Sequence, residues 1–268
     1  MRGFSLCAVV MCGLLAGAGC TAGWAQGHLL AADGLQSDAI SQPLAVENAA
    51  PRLEWRLKAA EAGARGVEQS AYRVLVASSE KVLEGDRGDV WDSGRIASGD
   101  SFGVVYRGKP LAAEATYFWK VMVWDEGGVA APWSAVGSWT MAPQVWTAKW
   151  IAQTGATNAT ATMPLFRREF VVKKKLARAV MDVSALGQGE VHLNGAKVGD
   201  AELAPGWTDY RKTVRYGAYD VTAMLHEGRN AVGVMVGNGM FNVVKTPHRY
   251  TKLENSFGRP MALLQMRL

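Results

Sequence analysis

Residues 51–57 read Pro51-Arg52-Leu53-Glu54-Trp55-Arg56-Leu57. Leu53, Trp55 and Leu57 alternate with charged residues. Successive side chains of an extended chain point to opposite faces, so this period of two predicts a strand with one buried face. Tyr72, Val74 and Val76 repeat the pattern, as do Tyr117, Trp119, Val121 and Val123. Turn signals separate these runs: Glu84-Gly85-Asp86, Ser98-Gly99-Asp100, Arg107-Gly108-Lys109-Pro110 and Glu126-Gly127-Gly128. Short alternating runs with turns at this spacing, and no long helical run between them, predict an antiparallel β-sandwich.

Working outward, Leu111 to Trp124 resembles strand F of a fibronectin type III-like module. In that family a corner tyrosine, here Tyr117, hydrogen-bonds back to the chain just upstream. The family's usual Pro and Thr are Ala113 and Ala115 in this chain. The module is expected over 48–142. A second module is expected over 146–268. Its predicted strands are marked by Phe166, Phe170 and Val172, by Val191 and Leu193, by Val232, Val234 and Val236, and by Met261 to Leu268. Asn194-Gly195 predicts a tight hairpin, because a type I′ turn needs positive φ at both central residues. Asp220 to Gly228 reads as a short helical turn closed by Gly228. Together these features resemble a galactose-binding-like jelly-roll sandwich. Its last strand runs to Leu268 without a return strand, so the jelly roll is expected to be incomplete, with an open edge.

Upstream, Gln26 to about Glu47 reads as a polar, Ala-rich linker. Residues 1–25 read as a secretory signal peptide: Arg2, an uncharged apolar run from Phe4 to Gly19, then Gly23 and Ala25 before a cut at Gln26. That run is short of the roughly 20 apolar residues of a spanning helix, so no membrane span is expected. Ala18 and Gly19 before Cys20 also suit lipoprotein processing, and the two cleavages stay open. The expected location is periplasmic or secreted. Cys7, Cys12 and Cys20 all fall in or at the end of this leader, leaving the mature chain no disulfide. The net charge of +5 is spread along the chain, and export separates it from nucleic acid, so no nucleic-acid partner is expected.

Ordered runs over Pro51 to Leu268 resemble the N-terminal region of bacterial α-L-rhamnosidases, glycoside hydrolase family 78. They are Pro51 to Leu57, Val90-Trp-Asp-Ser-Gly94, Tyr117-Phe-Trp-Lys120 with Val123-Trp-Asp125, and Trp146-Thr-Ala-Lys-Trp-Ile151. They continue with His192-Leu-Asn-Gly195, Val198-Gly199, Pro205-Gly-Trp-Thr-Asp-Tyr210, Tyr219-Asp-Val-Thr222 and Gly237-Asn-Gly239. After Gly239 the family carries Trp-Tyr where this chain has Met240-Phe241, so an aromatic face is expected to be missing from that loop. The resemblance implies inverting hydrolysis of terminal α-L-rhamnose by two carboxyl groups about 6.5–9.5 Å apart, held in a later (α/α)₆ barrel. No acidic residue of this chain matches that pair. The chain is therefore read as the accessory, non-catalytic part of an exported enzyme, with rhamnose-containing glycans and the catalytic barrel as partners. A free-standing secreted carbohydrate-binding module and a structural spacer are the alternatives.

Candidate binding residues are Trp207, Asp209, Tyr210 and Asn238. An exposed Trp or Tyr stacks on the apolar face of a sugar while a carboxylate accepts its hydroxyls. Residue statistics lean the other way for the first two: Trp207 as a plug in the sandwich end, Asp209 as a turn cap. Asn238 is likewise read as a left-handed turn residue. Sugar-binding jelly rolls that use calcium carry Asp and Asn just before the strand ending in Asn-Gly. Ser184-Ala185-Leu186-Gly187 offers no carboxylate there, and His192, His226 and His248 stand apart, so neither metal nor cofactor is expected.

Overall fold

The computed structural model describes residues 30–60, 65–155, 163–243, 247–248 and 257–268. The leader read over residues 1–25 lies outside the described residues.

The first module contains β1 (Leu30–Ser37), β2 (Arg52–Ala59), β3 (Gln69–Ala77), the short helix α1 (Glu80–Glu84), β4 (Trp91–Asp92), β5 (Val104–Val105), β6 (Thr116–Asp125) and β7 (Gly137–Thr140). Two antiparallel sheets, β1-β2-β5 and β4-β3-β6-β7, face each other. Leu53, Trp55, Val74, Val76, Trp119, Val121 and Val123 are buried as alternation predicts, whereas Leu57, near the end of β2, is exposed. Tyr117 and Trp139 are buried with their rings 5.7 Å apart. The Ala112 N–H donates to the Tyr117 hydroxyl at 2.8 Å, which pins the crossover into β6 despite the two Ala substitutions.

One expectation fails here. The stretch read as a linker contains β1, which pairs with β2 and puts Leu30 and Ala32 into the core. Its sequence, Leu-Ala-Ala-Asp-Gly-Leu-Gln-Ser, carries small residues and a bulge between Asp33 and Gln36, so no clean period of two is present to read.

The second module contains β8 (Ile151–Ala152), β9 (Leu165–Val172), β10 (Val180–Leu186), β11 (Gln188–Leu193), β12 (Ala196–Lys197), β13 (Gly217–Asp220), β14 (Gly228–Gly237) and β15 (Met261–Arg267). Its antiparallel sheets run β13-β10-β15-β8 and β12-β11-β14-β9. Asn194 at φ +52° and Gly195 at φ +87° form the two-residue turn between β11 and β12. Thr222 to Met224 is a single 3₁₀ turn, and Gly228 opens β14 rather than closing the helix. The edge expected to be open at the last strand is covered only at its start, where β8 pairs with Met261 and Ala262. β15 pairs along its whole length with β10 on one side, and over those two residues with β8 on the other.

β10 was not expected, because its two faces are polar and apolar by turns yet both are covered. Met181 and Ala185 face the core, while Asp182 and Ser184 are buried on the opposite face. The chain entering the second module covers that face. Trp146 meets Tyr216 edge-on at 5.0 Å, and the Thr147 N–H donates to the Gln265 side chain at 3.2 Å. Arg267 bridges the modules, 2.9 Å from Asp182 and 3.8 Å from Glu114. Burial lifts the Asp182 carboxyl above its ordinary range, against the downward pull of Arg267. Arg178 hydrogen-bonds Thr116 across the same boundary.

Candidate functional site

Pro205 and Gly206 lead into a loop that β13 follows. Within it, the N–H groups of Lys212 and Thr213 both donate to the Asp209 carbonyl, at 2.8 and 3.0 Å, and Thr208 donates to the Thr213 carbonyl. These bonds fold residues 208–213 into a tight turn. Three of the four candidate residues, Trp207, Asp209 and Tyr210, line one open cleft of about 500 Å³, together with Arg211, Met240 and Phe257.

Trp207 is 65% exposed, so the reading that makes it a core plug is wrong. Tyr210 is held by its neighbours. Its ring meets Phe241 edge-on at 5.1 Å and Phe257 at 5.5 Å, and those two stack at 6.0 Å. Burial among them pushes the Tyr210 phenol up, so it stays a neutral hydroxyl that can donate or accept. Asp209 does brace a turn: its side chain accepts from the Arg211 N–H at 3.3 Å and from Arg211 Nε at 3.1 Å. Those bonds hold its carboxyl below the usual range. Asp209 is thus an ionised acceptor at neutral pH and not a proton donor.

Asn238 is not in the cleft lining. Its side-chain carbonyl accepts from Asn242 Nδ2 at 2.9 Å, which braces the turn after β14. Gly239, not Asn238, takes the left-handed conformation there, at φ +50°. The Met240-Phe241 departure also reads differently in three dimensions. Phe241 is buried and supports Tyr210, so an aromatic is retained beneath the loop, while Met240 lines the cleft.

Sequence reading missed Arg211 and Phe257. Arg211 follows Asp209 by two residues and was legible as its partner. Phe257 enters from a distant segment with no periodic signal. His192 is partly exposed, with its Nε2 2.7 Å from Glu190. Among the described residues no three His, Cys, Asp or Glu side chains cluster as a metal site. None of their helices is long and apolar enough to cross a membrane.

Two families match the two modules. A Rha78A-like, N-terminal immunoglobulin domain matches residues 32–144, and the alpha-L-rhamnosidase N-terminal domain matches residues 174–268. An alpha-L-rhamnosidase of Formosa agariphila is 35% identical over 228 residues, which cover 76% of this chain and 24% of that protein. The structure of alpha-L-rhamnosidase from Dictyoglumus thermophilum superposes with a TM-score of 0.74 at 32% identity, over 88% of this chain and 27% of that one. The native rhamnosidase from Aspergillus terreus gives 0.71 at 26% identity, over the same shares. This chain spans about a quarter of the length of the relatives it matches. In order and in fold, its two modules correspond to the N-terminal region of α-L-rhamnosidases.

Proposed function

We propose that this chain is the accessory, non-catalytic region of an exported enzyme that removes terminal α-L-rhamnose, and that the Trp207 cleft holds rhamnose-containing glycans. The observation that carries the glycan reading is the exposed Trp207 ring beside Tyr210, whose own ring is fixed by Phe241 and Phe257. An aromatic platform already held in place loses little freedom on stacking against a sugar, and Asp209 and Arg211 supply an acceptor and donors for its hydroxyls. The non-catalytic reading is supported by charge. Among the described residues, Asp209 is the one carboxylate lining the cleft, and Arg211 keeps it ionised. Inverting hydrolysis needs a protonated acid and a separate base, and a single ionised carboxylate cannot serve as both.

The test is titration of the chain with L-rhamnose, read by tryptophan fluorescence, beside an assay with an aryl α-L-rhamnoside. A single platform with a few hydrogen bonds is expected to give a Kd of about 1 mM, or roughly −4 kcal/mol. No aryl glycoside should turn over. Binding that survives Trp207→Ala unchanged, or that vanishes with a calcium chelator, would overturn the cleft. Turnover that follows the purified protein would overturn the non-catalytic role.

A further inference from the structure

We infer that the first module holds a further glycan contact: a cleft along one edge of its sandwich that takes a fully hydroxylated hexopyranose, stacked on Phe102. For the ligand's class it rests on the glycan reading above. β4 and β5 are outer strands of the two facing sheets, and Trp91 of β4 meets Tyr106, just beyond β5, edge-on at 5.3 Å. The cleft opens along that edge with a volume of about 460 Å³, and its lining includes Tyr72, Trp91, Asp100, Phe102 and Arg107. It shares no described lining residue with the Trp207 cleft.

Phe102 is 76% exposed, although the loop that carries it is fastened to the core. Buried Gln69 donates from Nε2 to the Ser98 and Asp100 carbonyls, at 3.0 and 2.9 Å, and accepts from Trp55 Nε1 at 3.0 Å. The Trp55 N–H donates to the Ser101 carbonyl at 2.9 Å. These bonds use the loop's backbone carbonyls, so the fold makes no demand for a large ring at position 102. A ring held out on a fastened loop loses little freedom when a ligand stacks on it. The polar groups of the cleft converge on Tyr72, whose ring is set by an edge-on contact with Trp55 at 5.2 Å. Burial pushes the Tyr72 phenol up, Asp100 adds to the rise and Arg107 opposes it, so both charges stand near that hydroxyl. One Asp100 carboxylate oxygen accepts from the Ser98 hydroxyl at 2.8 Å, which orients it. The cleft thus offers an anionic acceptor, a cationic donor and a neutral phenol beside aromatic rings. The two charges offset each other, which favours a neutral ligand whose groups both donate and accept, as hydroxyls do. A pyranose lays its C–H face on an aromatic ring and turns its hydroxyls to such groups. Three polar side chains suit a hexose that keeps its 6-hydroxyl over a deoxy sugar that lacks one, because each unmatched polar group costs binding.

The experiment is saturation-transfer NMR on the full chain with methyl β-D-glucoside and methyl β-D-galactoside, in unaltered protein, Trp207→Ala, Phe102→Ala and Arg107→Met. At least one of the sugars should bind with a Kd of about 1–10 mM, keep that affinity in Trp207→Ala, and weaken by about fivefold or more in both Phe102→Ala and Arg107→Met. No transfer to either sugar overturns the proposal, as does unchanged affinity in Phe102→Ala or in Arg107→Met. Loss of transfer in Trp207→Ala assigns the sugar to the Trp207 cleft and also overturns it. Failure of the rhamnose titration beside retained transfer here removes the Trp207 cleft alone. If Phe102→Ala does not fold, Phe102→Leu, which removes the ring and keeps an apolar side chain, replaces it, and unchanged affinity there overturns the proposal.

Discussion

The two sandwiches use their aromatic residues in opposite ways. The first builds its core on them: Trp55, Trp119 and Trp139 are almost fully enclosed, and Tyr106 and Tyr117 pack around Trp139, with Phe102 left at the surface. The second builds its core from Ala, Val, Leu and Met, and Trp207 stands in solvent. Large rings fill a sandwich core efficiently but leave no room within it. Small residues leave space at the sandwich end and free the aromatics for a surface loop. The proposed glycan cleft at Trp207 thus falls in the module whose core leaves that tryptophan at the surface.

The comparison is most exposed to failure at Trp119. Trp119→Ala should destabilise the first module by about 3–5 kcal/mol, because the surrounding rings cannot collapse into the space. Denaturant unfolding followed by near-ultraviolet circular dichroism would measure it. A loss below about 1 kcal/mol would mean the aromatic core is not what holds that module.

Next in size is the join between the modules. Arg267→Met strands the buried Asp182 carboxylate and should cost about 3 kcal/mol near pH 7. The native carboxyl titrates above its unfolded value of 3.8, so its contribution is most favourable below that pH and is lost as pH rises through the raised value. Without Arg267 the value rises further. The variant's deficit should therefore shrink on going from pH 7 towards pH 4, where Asp182 takes up a proton. A deficit independent of pH would show that Asp182 is not the group left unpaired.

A smaller effect is expected at the tyrosine corner. Tyr117→Phe leaves the Ala112 N–H without its acceptor and should cost about 1–2 kcal/mol in thermal or denaturant melts. No change would mean that water replaces the phenol there. Smallest is Trp207→Ala, which should alter stability by less than about 0.5 kcal/mol while removing the fluorescence response to rhamnose. A collapse of the fold on that change would return Trp207 to the core and erase the contrast between the modules.

The sequence by itself determined the strands with clean alternation and the tight turn at Asn194-Gly195. Alternation around Leu53 and Trp55, and around Trp119 to Val123, is a local record of which side of a strand meets the core. Asn194-Gly195 records a backbone conformation that few other residue pairs accept. Tyr117 was legible for the same reason, since its partner Ala112 lies five residues away. Only the tertiary structure decided the rest. Asp182 and Ser184 carried no strand signal, and they are buried where the segment around Trp146 together with Glu114 covers them. Trp207 looked like a core residue and is exposed, while Phe257 arrives beside Tyr210 from far along the chain. A residue pattern records that a strand has two faces; what packs on each face depends on contacts between segments that are neighbours only in the folded chain.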